Sequence, residues 1–308
     1  MGFFLCLSPR RKLPNDTIII YKHKTMLRIA IQSKGRLHED TMQLLAEAGI
    51  KVPSSKRTLL VAAKNFPIEL LFLRDDDIPE TVADGVADVG VVGLNEMMER
   101  CERARIVKEL GFGACRLSIA VPKSADYQDI TWLNGKRIAT SYPAVLRRFL
   151  SEKGINAEVH VISGSVEIST SIGLADAIFD IVSSGSTLIS NNLREVEVAL
   201  KSEAVLIASP QLSAEKQAIL DDLLFRLEAV MVAQDKKYVL MNAPRTALPA
   251  ILEVLPGIKS PTVLPLADED WCSIHTVVDE GRFWNIISSL KAAGAQDLLV
   301  LPIEKMIL

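Results

Sequence analysis

The stretch DIVSSGSTL, from Asp180 to Leu188, joins a carboxylate to a run of small hydroxylated residues around one glycine. If residues 177–182 form a strand, Asp176 and Asp180 project from the same face, because side chains alternate along a strand. The run that follows offers backbone N–H groups, hydroxyls and one residue free to take a positive φ: Ser183, Ser184, Gly185, Ser186 and Thr187. Such a loop can hold a phosphate, and carboxylates beside it can bind ribose hydroxyls or Mg²⁺.

Two interpretations of this stretch stay open on the residues alone. In the first, the next residues, LISNNLREVE, start a helix whose N-terminal N–H groups point at the same spot and complete a phosphate site. A sugar phosphate would then satisfy both the loop and the carboxylates. In the second, the stretch is an ordinary strand, turn and helix, since Ser, Gly and Thr are also common turn residues.

Strands alternate with helices along most of the chain from Met26 onward. LRIAIQ, IELLFL, ADVGVVG, RIAT, EVHVIS and AIFDIV have the short apolar pattern of strands, and helix signals stand between most of them. Asp77 is placed to cap one of these helices, and Gly93 would let a ligand or a backbone approach closely. This pattern predicts an α/β architecture with largely parallel sheets.

The alternating elements fall into groups that predict the domain organisation. Residues 26–118 and 119–206 form two lobes with a cleft between them, and the long amphipathic helix of 207–234 returns to the first lobe. Residues 235–308 have the order βαββαβ of a ferredoxin-like domain, a module that often senses small molecules or mediates assembly. Fold alone does not give the function of such a module.

The composition excludes several classes of function. The net charge of −3 over 308 residues gives no basic field for nucleic acid, and no apolar run approaches the ~20 residues of a membrane helix. Four scattered cysteines without a CxxC motif favour reduced thiols in a cytoplasmic protein over a zinc site or a disulfide framework. Residues 1–25 are interpreted as a disordered extension, with an organelle-targeting segment as the alternative.

The segment EISTSIGLADAIFDIVSSGSTL, from Glu167 to Leu188, resembles the signature of the ATP phosphoribosyltransferases of histidine biosynthesis. Blocks similar to those of this family occur in order from Met26 to the C-terminus, among them QSKGRL, RDDDIP, GVADVGVVG, NGKRIATSYP, SGSVE and LVLPIEKM. The resemblance is to the long form of the family. It implies a two-lobed, periplasmic-binding-protein-like α/β catalytic region and a ferredoxin-like regulatory domain.

The resemblance also implies a reaction and its site. Adenine N1 of ATP attacks C1 of phosphoribosyl pyrophosphate, and pyrophosphate leaves with Mg²⁺ as cofactor. The residues expected to bind phosphoribosyl pyrophosphate are Glu167, Asp176, Asp180, Ser183, Ser184, Gly185, Ser186 and Thr187. The residues expected to bind ATP are Lys34, Arg36, Gly93, Arg116 and Tyr142, and the catalytic set is Asp176, Asp180, Lys34 and Arg36. The protein ligands of Mg²⁺ stay unassigned, and no residue stands out as a general base.

For the last domain, the resemblance implies inhibition by L-histidine and assembly from dimers to a hexamer. The residues expected to contact histidine are Asn242, Leu266 and Asp268. An exposed acidic loop is the simpler interpretation of Asp268, and Glu167 could equally cap the segment that follows it. Lys34 and Arg36 could be solvated charges of a polar turn, and Tyr142 could be a packed ring beside Pro143 rather than an adenine contact.

Three rival functions are compatible with parts of the pattern. A two-lobed module could hold a ligand without transforming it, and a phosphoribosyltransferase acting on a free base would carry a similar loop. The other blocks and the C-terminal domain argue against the free-base enzyme. An inactive regulatory relative is disfavoured because the loop of residues 180–187 and SKGRL are both intact.

Overall fold

The structure is a computed structural model that describes residues 25–53, 58–101, 103–255 and 260–308. The expected extension therefore lies outside the described residues, except for Thr25. The strands are β1 (Leu27–Gln32), β2 (Leu60–Ala62), β3 (Ile68–Leu73), β4 (Val89–Gly93), β5 (Arg105–Glu109), β6 (Cys115–Pro122), β7 (Arg137–Thr140), β8 (Glu158–Val161), β9 (Ala177–Val182), β10 (Leu193–Ser202), β11 (Ala204–Ala208), β12 (Lys236–Pro244), β13 (Thr262–Pro265), β14 (Trp271–Asp279) and β15 (Gln296–Pro302). The helices are α1 (Arg36–Glu47), α2 (Ile78–Ala83), α3 (Leu94–Arg100), α4 (Pro143–Lys153), α5 (Ser186–Ser190), α6 (Ala214–Ala233), α7 (Leu248–Val254) and α8 (Glu280–Ala292).

The first lobe is a six-stranded sheet in the order β2-β3-β1-β4-β11-β5. Strand β1 pairs in parallel with β3 and β4, whereas β11 runs antiparallel to β4 and β5. One face packs on α1 and α6, where Leu44 and Leu220 are buried, and the other packs on α2 and α3, where Val82 and Met97 are buried. Because both faces are covered, β1 is apolar along nearly its whole length.

The second lobe is a five-stranded sheet in the order β10-β6-β9-β7-β8. Strand β7 is parallel to β8 and β9, and β6 is antiparallel to β9 and β10. Its main core joins α4 to the sheet through buried residues such as Leu146 and Phe179. The two lobes and the C-terminal domain together confirm the predicted fold class.

The sheets place the lobe boundaries a few residues away from those predicted. Strand β6 begins at Cys115 and belongs wholly to the second sheet, and β11 begins at Ala204 and belongs wholly to the first. The predicted boundaries, after residues 118 and 206, cut through both strands, because apolar runs do not show which sheet they join. Residues 110–114 and Glu203 connect the lobes.

The C-terminal domain has the predicted βαββαβ order, and its antiparallel sheet has the order β13-β14-β12-β15. Ile251 of α7 and Leu290 of α8 are buried against this sheet. The long α6 immediately precedes β12 and starts at Ala214, where the Ser213 hydroxyl accepts a hydrogen bond from the Lys216 N–H at 3.3 Å. Within the described ranges, no helix is both long and apolar enough to cross a membrane.

Two local expectations are wrong. LREVE lies in strand β10 and not in a helix, because α5 ends after a single turn at Ser190. Leu193 and Val196 are three residues apart, as on one face of a helix, so this short stretch did not distinguish a helix from a strand. Asp77 precedes α2 but makes no side-chain cap, since residues 75–77 form a 3₁₀ turn in which its carbonyl accepts from the Thr81 hydroxyl.

Candidate active site in the cleft between the lobes

The cleft is formed by the carboxyl-terminal edges of the two sheets. Neighbouring parallel strands end at the same edge, so β1 and β4 end together in the first lobe, and β7 and β9 end together in the second. A cavity of about 580 Å³ lies between the lobes. Its lining residues are Leu94, Glu109, Ala114, Cys115, Arg116, Ser183, Lys201, Ser202 and Glu203. This volume lies in the range of small-molecule sites, roughly 300–1,000 Å³.

The serine-rich loop after β9 forms a tight turn at the edge of this cavity. Gly185 takes φ 79° and immediately precedes α5. The Ser184 and Ser186 hydroxyl oxygens are 3.0 Å apart, and the Ser190 hydroxyl donates to the Ser186 carbonyl at 3.0 Å. Ser183, Ser184, Ser186 and Thr187 are exposed, so the loop presents its hydroxyls and backbone N–H groups to a ligand.

Asp180 lies on β9 just before this loop and directly opposite Ser118 of β6. Burial raises the pKa of its carboxyl above the usual 3.8, whereas a hydrogen bond from the Ile181 N–H at 2.8 Å lowers it. The charge of Glu167 also raises the pKa of Asp180, and the turn that carries Glu167, residues 166–168, contacts β9. The two carboxylates therefore lie on adjoining elements of the second lobe.

Asp176 has a different partner from Asp180, and its expected role beside Asp180 at the ribose stays a prediction. The two residues are four apart along an extended segment, which separates them by roughly 13 Å. The carboxylate of Asp176 accepts hydrogen bonds from the backbone N–H of Arg137 at 2.9 Å and from its guanidinium at 3.2 Å. This ion pair lowers the pKa of Asp176 and links the amino-terminal ends of β7 and β9, away from the loop.

Arg116 braces the serine loop. Its guanidinium donates to both carboxylate oxygens of Glu195 at 2.5 and 2.6 Å, and to the Ser183 carbonyl at 3.0 Å. The Ser118 hydroxyl donates to the same carboxylate at 2.7 Å. The guanidinium lowers the pKa of Glu195, so this pair stays ionised at neutral pH. Arg116 lines the cavity, but its charge is already shared with Glu195, and its expected contact with ATP stays a prediction.

Lys34 and Arg36 lie in the loop that joins β1 to α1, with Gly35 between them at φ 95°. Both side chains are exposed, and Arg36, with 82 % of its side chain accessible, has Asp40 at a distance of 3.7 Å. A contact that long and that exposed holds the guanidinium weakly. Two cations are thus available at the carboxyl end of β1, on the edge where β4 reaches the cavity.

Tyr142 follows β7 and is only 8 % exposed. Its ring packs in the core of the second lobe, and its hydroxyl donates to Glu96 of the first lobe at 2.6 Å. Burial, together with the negative charge of Glu96, raises the pKa of Tyr142 far above its usual value. The ring of Tyr142 is therefore packed, as in the alternative to an adenine contact given above. The adenine contact stays a prediction.

Gly93 ends β4 and precedes α3. A Cβ at this position would lie 2.5 Å from the Asn95 side-chain oxygen, which accepts a hydrogen bond from the Ser202 hydroxyl at 2.8 Å. A side chain at this position would displace Asn95 from its hydrogen bond with Ser202, a cost independent of any ligand. A role in binding ATP stays a prediction.

Four residues of the cleft were missed by the sequence analysis. Glu96 and Glu99 of α3 contact the second lobe, Glu195 holds Arg116, and Lys201 lines the cavity. In the sequence, each is a charged residue on an element of mixed polarity, which is typical of a solvated face. Only the packing of the two lobes against each other brings them together.

The residues expected to bind histidine have separate local contacts. The Asn242 amide donates to Asp297 at 3.3 Å, whereas Asp268 accepts from the Asp270 N–H at 3.0 Å within its own turn. Leu266 donates its N–H to the Trp271 carbonyl across that turn. A different cavity of this domain, of about 300 Å³, lies near Tyr238 and His275, whose hydroxyl and ring nitrogen are 2.6 Å apart. The histidine site thus stays a prediction.

Comparison with known proteins assigns the chain. Residues 74–229 match the family model of ATP phosphoribosyltransferase, and residues 233–305 match the model of the C-terminal domain of that family. The ATP phosphoribosyltransferase of Bacteroides thetaiotaomicron is 65 % identical over 282 residues, which cover 92 % of this chain and 100 % of the relative. That of Cytophaga hutchinsonii is 57 % identical over 283 residues, covering 92 % of this chain and 99 % of the relative.

Among solved structures, the ATP phosphoribosyl transferase (HisG:HisZ) complex from Thermotoga maritima matches with a TM-score of 0.57 and 29 % identity, covering 66 % of this chain and 96 % of that chain. The cleft, the serine loop and the matches define a two-lobed α/β pentosyltransferase with an appended ferredoxin-like domain. The chain belongs to the ATP phosphoribosyltransferase family, in its long form.

Proposed function

We propose that the chain condenses ATP with phosphoribosyl pyrophosphate in the cleft, as the first step of histidine biosynthesis. The N1 lone pair of adenine forms a bond to ribose C1 while the bond from C1 to the pyrophosphate oxygen breaks, and pyrophosphate leaves with that electron pair. The products are phosphoribosyl-ATP and pyrophosphate. The observation that supports this best is the serine loop of residues 183–187 directly after the strand of Asp180, with Ser183 in the wall of an interlobe cavity.

The loop holds the 5′-phosphate in this proposal. Its hydroxyls and N–H groups are all donors, and the brace from Arg116 to the Ser183 carbonyl fixes their position. Asp180 and Glu167 then face the ribose, where positive charge develops on the ring as the bond to pyrophosphate breaks. A carboxylate that is already in place stabilises that charge without reorganisation.

Both lobes supply cations to the reaction. Lys34 and Arg36, at the end of β1, and Lys201, on β10 in the cavity wall, supply cations for the phosphates of ATP and for the leaving pyrophosphate. Adenine N1 is a nucleophile as it stands, so positioning of the two substrates supplies much of the rate.

Mg²⁺ fits the site as a partner of the substrate phosphates. Within the described ranges, no cluster of three or more His, Cys, Asp or Glu side chains could hold a metal, and Asp180 and Glu167 are the carboxylates expected near the substrate. Mg²⁺ is commonly bound by one or two carboxylates together with substrate phosphates. Bound in this way, it would neutralise charge on the departing pyrophosphate.

The C-terminal domain and the cellular setting belong to the same proposal. We infer that L-histidine inhibits the enzyme through residues 235–308, and that this domain assembles the chain into dimers and a hexamer. The described cysteines, Cys101, Cys115 and Cys272, are all free thiols, which supports a reducing compartment such as the cytoplasm.

The test is a steady-state assay of pyrophosphate release from ATP, phosphoribosyl pyrophosphate and Mg²⁺, repeated with L-histidine. We expect turnover that needs both substrates and falls as histidine is added. Replacing ATP with free adenine is the control, since an enzyme acting on a free base would keep its activity. Turnover insensitive to histidine would contradict the regulatory assignment, and binding without turnover would contradict the reaction.

A further inference from the structure

Helix α3 directly follows β4 and so belongs to the first lobe, yet its side chains contact both lobes. Met97 is buried in the core of the first lobe, whereas the next residue, Met98, packs against the core of the second. The Asn95 N–H donates to the Ser202 hydroxyl at 3.0 Å, where β10 returns toward the first lobe. A short helix that fills two separate cores fixes the angle between them.

Glu99 and Glu96 of α3 hold the start of α4. The Glu99 carboxylate accepts the backbone N–H groups of Ala144 at 2.9 Å and Val145 at 3.0 Å. One turn earlier, Glu96 accepts the Tyr142 hydroxyl. Tyr142 itself makes no side-chain cap for α4, so the cap of this helix comes from the opposite lobe. A carboxylate at a helix N-terminus is favoured by both hydrogen bonding and the helix dipole.

The position of this contact in the fold determines its consequence. Helix α3 follows β4 and α4 follows β7, so their contact closes one side of the cleft. The loop with Lys34 and Arg36 follows β1, and the serine loop follows β9, so these ligand-facing loops lie on the neighbouring strands. The contact between α3 and α4 therefore sets the distance between the loop that carries Lys34 and Arg36 and the serine loop.

We propose that Glu99 is a positioning residue for the reaction, acting through α4 to keep the two lobes at the separation that both substrates require. The inference rests on the proposed function, because the separation matters only if one substrate bridges to the other across the cleft. When the competent arrangement is populated only in part, the apparent affinity for substrates falls by that fraction while the rate at saturation is retained. Glu99 therefore affects KM more than kcat.

The experiment compares three variants of the full chain with the parent. We expect Glu99→Ala to raise KM for both substrates by about tenfold, with kcat kept within about twofold, as expected for loss of a helix cap. Glu99→Gln keeps an acceptor oxygen, so its KM values should lie between those of the parent and those of Glu99→Ala. Small-angle X-ray scattering without substrates should show a larger radius of gyration for Glu99→Ala than for the parent. Addition of both substrates should remove this difference.

The matched control is Asp129→Ala. Asp129 accepts the Thr131 N–H at 2.9 Å, so it is an acidic cap in the second lobe that does not cross to the first. The Asp129→Ala variant should have a lower melting temperature than the parent, with unchanged KM for both substrates and an unchanged radius of gyration. If Glu99→Ala behaves like this control, Glu99 is a local cap and the inference is overturned.

Two further results are informative. If Glu99→Ala does not fold, the same comparison is made with Glu99→Gln, and KM equal to that of the parent overturns the inference. If the parent folds but gives no turnover, the proposed function fails, and the role of Glu99 in the reaction fails with it. An increase in radius of gyration would then show that α3 couples the lobes, separately from the reaction.

Discussion

Asp180→Asn is expected to lower kcat by about 100-fold or more. The variant keeps the size of the side chain and an acceptor for the Ile181 N–H, but it removes the negative charge that faces the ribose. Loss of one preorganised electrostatic contact to a transition state commonly costs about 10²–10³ in kcat. Steady-state pyrophosphate release at saturating substrates measures the effect.

The same residue predicts an acidic limb in the pH profile. Burial raises the pKa of Asp180 above 3.8, so the carboxylate becomes protonated at a higher pH than an exposed aspartate would. The kcat of the parent should fall as the pH drops through this raised pKa, and Asp180→Asn should show no such limb. A limb that persists in the variant would mean that another group titrates.

Asp176→Asn is the matched control, at the other end of the same segment. Because it faces Arg137 and not the loop, kcat should change by less than about tenfold. A loss of kcat equal to that of Asp180→Asn would show that Asp176 acts together with Asp180, as the sequence analysis expected.

The two aspartate variants should have opposite effects on stability. Because the pKa of Asp180 is raised in the folded state, its protonated carboxyl contributes fully to stability below pH 3.8. That contribution is lost as the pH rises through the pKa of the folded state, so Asp180→Asn should be more stable than the parent at neutral pH. The lowered pKa of Asp176 contributes stability above pH 3.8, which is lost as the pH falls through the folded pKa. Its side chain is 34 % exposed, so Asp176→Asn should cost at most about 1 kcal/mol. Thermal denaturation at pH 7 decides both signs.

Gly185→Ala is expected to lower kcat/KM for phosphoribosyl pyrophosphate by about 10- to 100-fold. Gly185 has φ 79°, a conformation that costs an L-residue about 1–2 kcal/mol, and its neighbours carry the hydroxyls of the loop. A Cβ would meet Val182 at 3.9 Å, so the strain is in the backbone and not in a clash. Relief of that strain moves the N–H groups away from the phosphate.

Gly154→Ala separates strain from function. Gly154 has φ 67° at the end of α4, with open space where a Cβ would lie, so the variant is strained to a similar degree away from the cleft. Both variants should lose similar stability, but only Gly185→Ala should lose activity. Equal loss of activity would mean that general destabilisation, and not the loop, is being measured.

Much of the fold could be predicted from the sequence because local signals agreed with the tertiary structure. Short apolar runs identified β1, β3, β7 and β9. The exact lobe boundaries could not be predicted, since β6 and β11 are apolar runs that would suit either sheet. The helix expected over LREVE failed because an edge strand with one exposed face carries a similar pattern.

The site was only partly predictable, for a related reason. The serine loop is local in sequence, so its turn and its glycine could be inferred from residue types. Periodicity placed Asp176 and Asp180 on one face of a strand, but it could not reveal that Arg137 is the partner of Asp176. Glu99, Glu195 and Glu96 are contacts between elements far apart in sequence, for which a single sequence carries no local signal.

The most direct test of the central claim is to observe the new bond. The enzyme would be incubated with Mg²⁺, ATP labelled with ¹⁵N at adenine N1, and phosphoribosyl pyrophosphate labelled with ¹³C at C1, and the product examined by NMR. The account predicts a one-bond coupling between N1 and C1 that appears together with free pyrophosphate. Absence of that coupling in folded protein that binds both substrates, or attachment of C1 to another nitrogen of adenine, would contradict it.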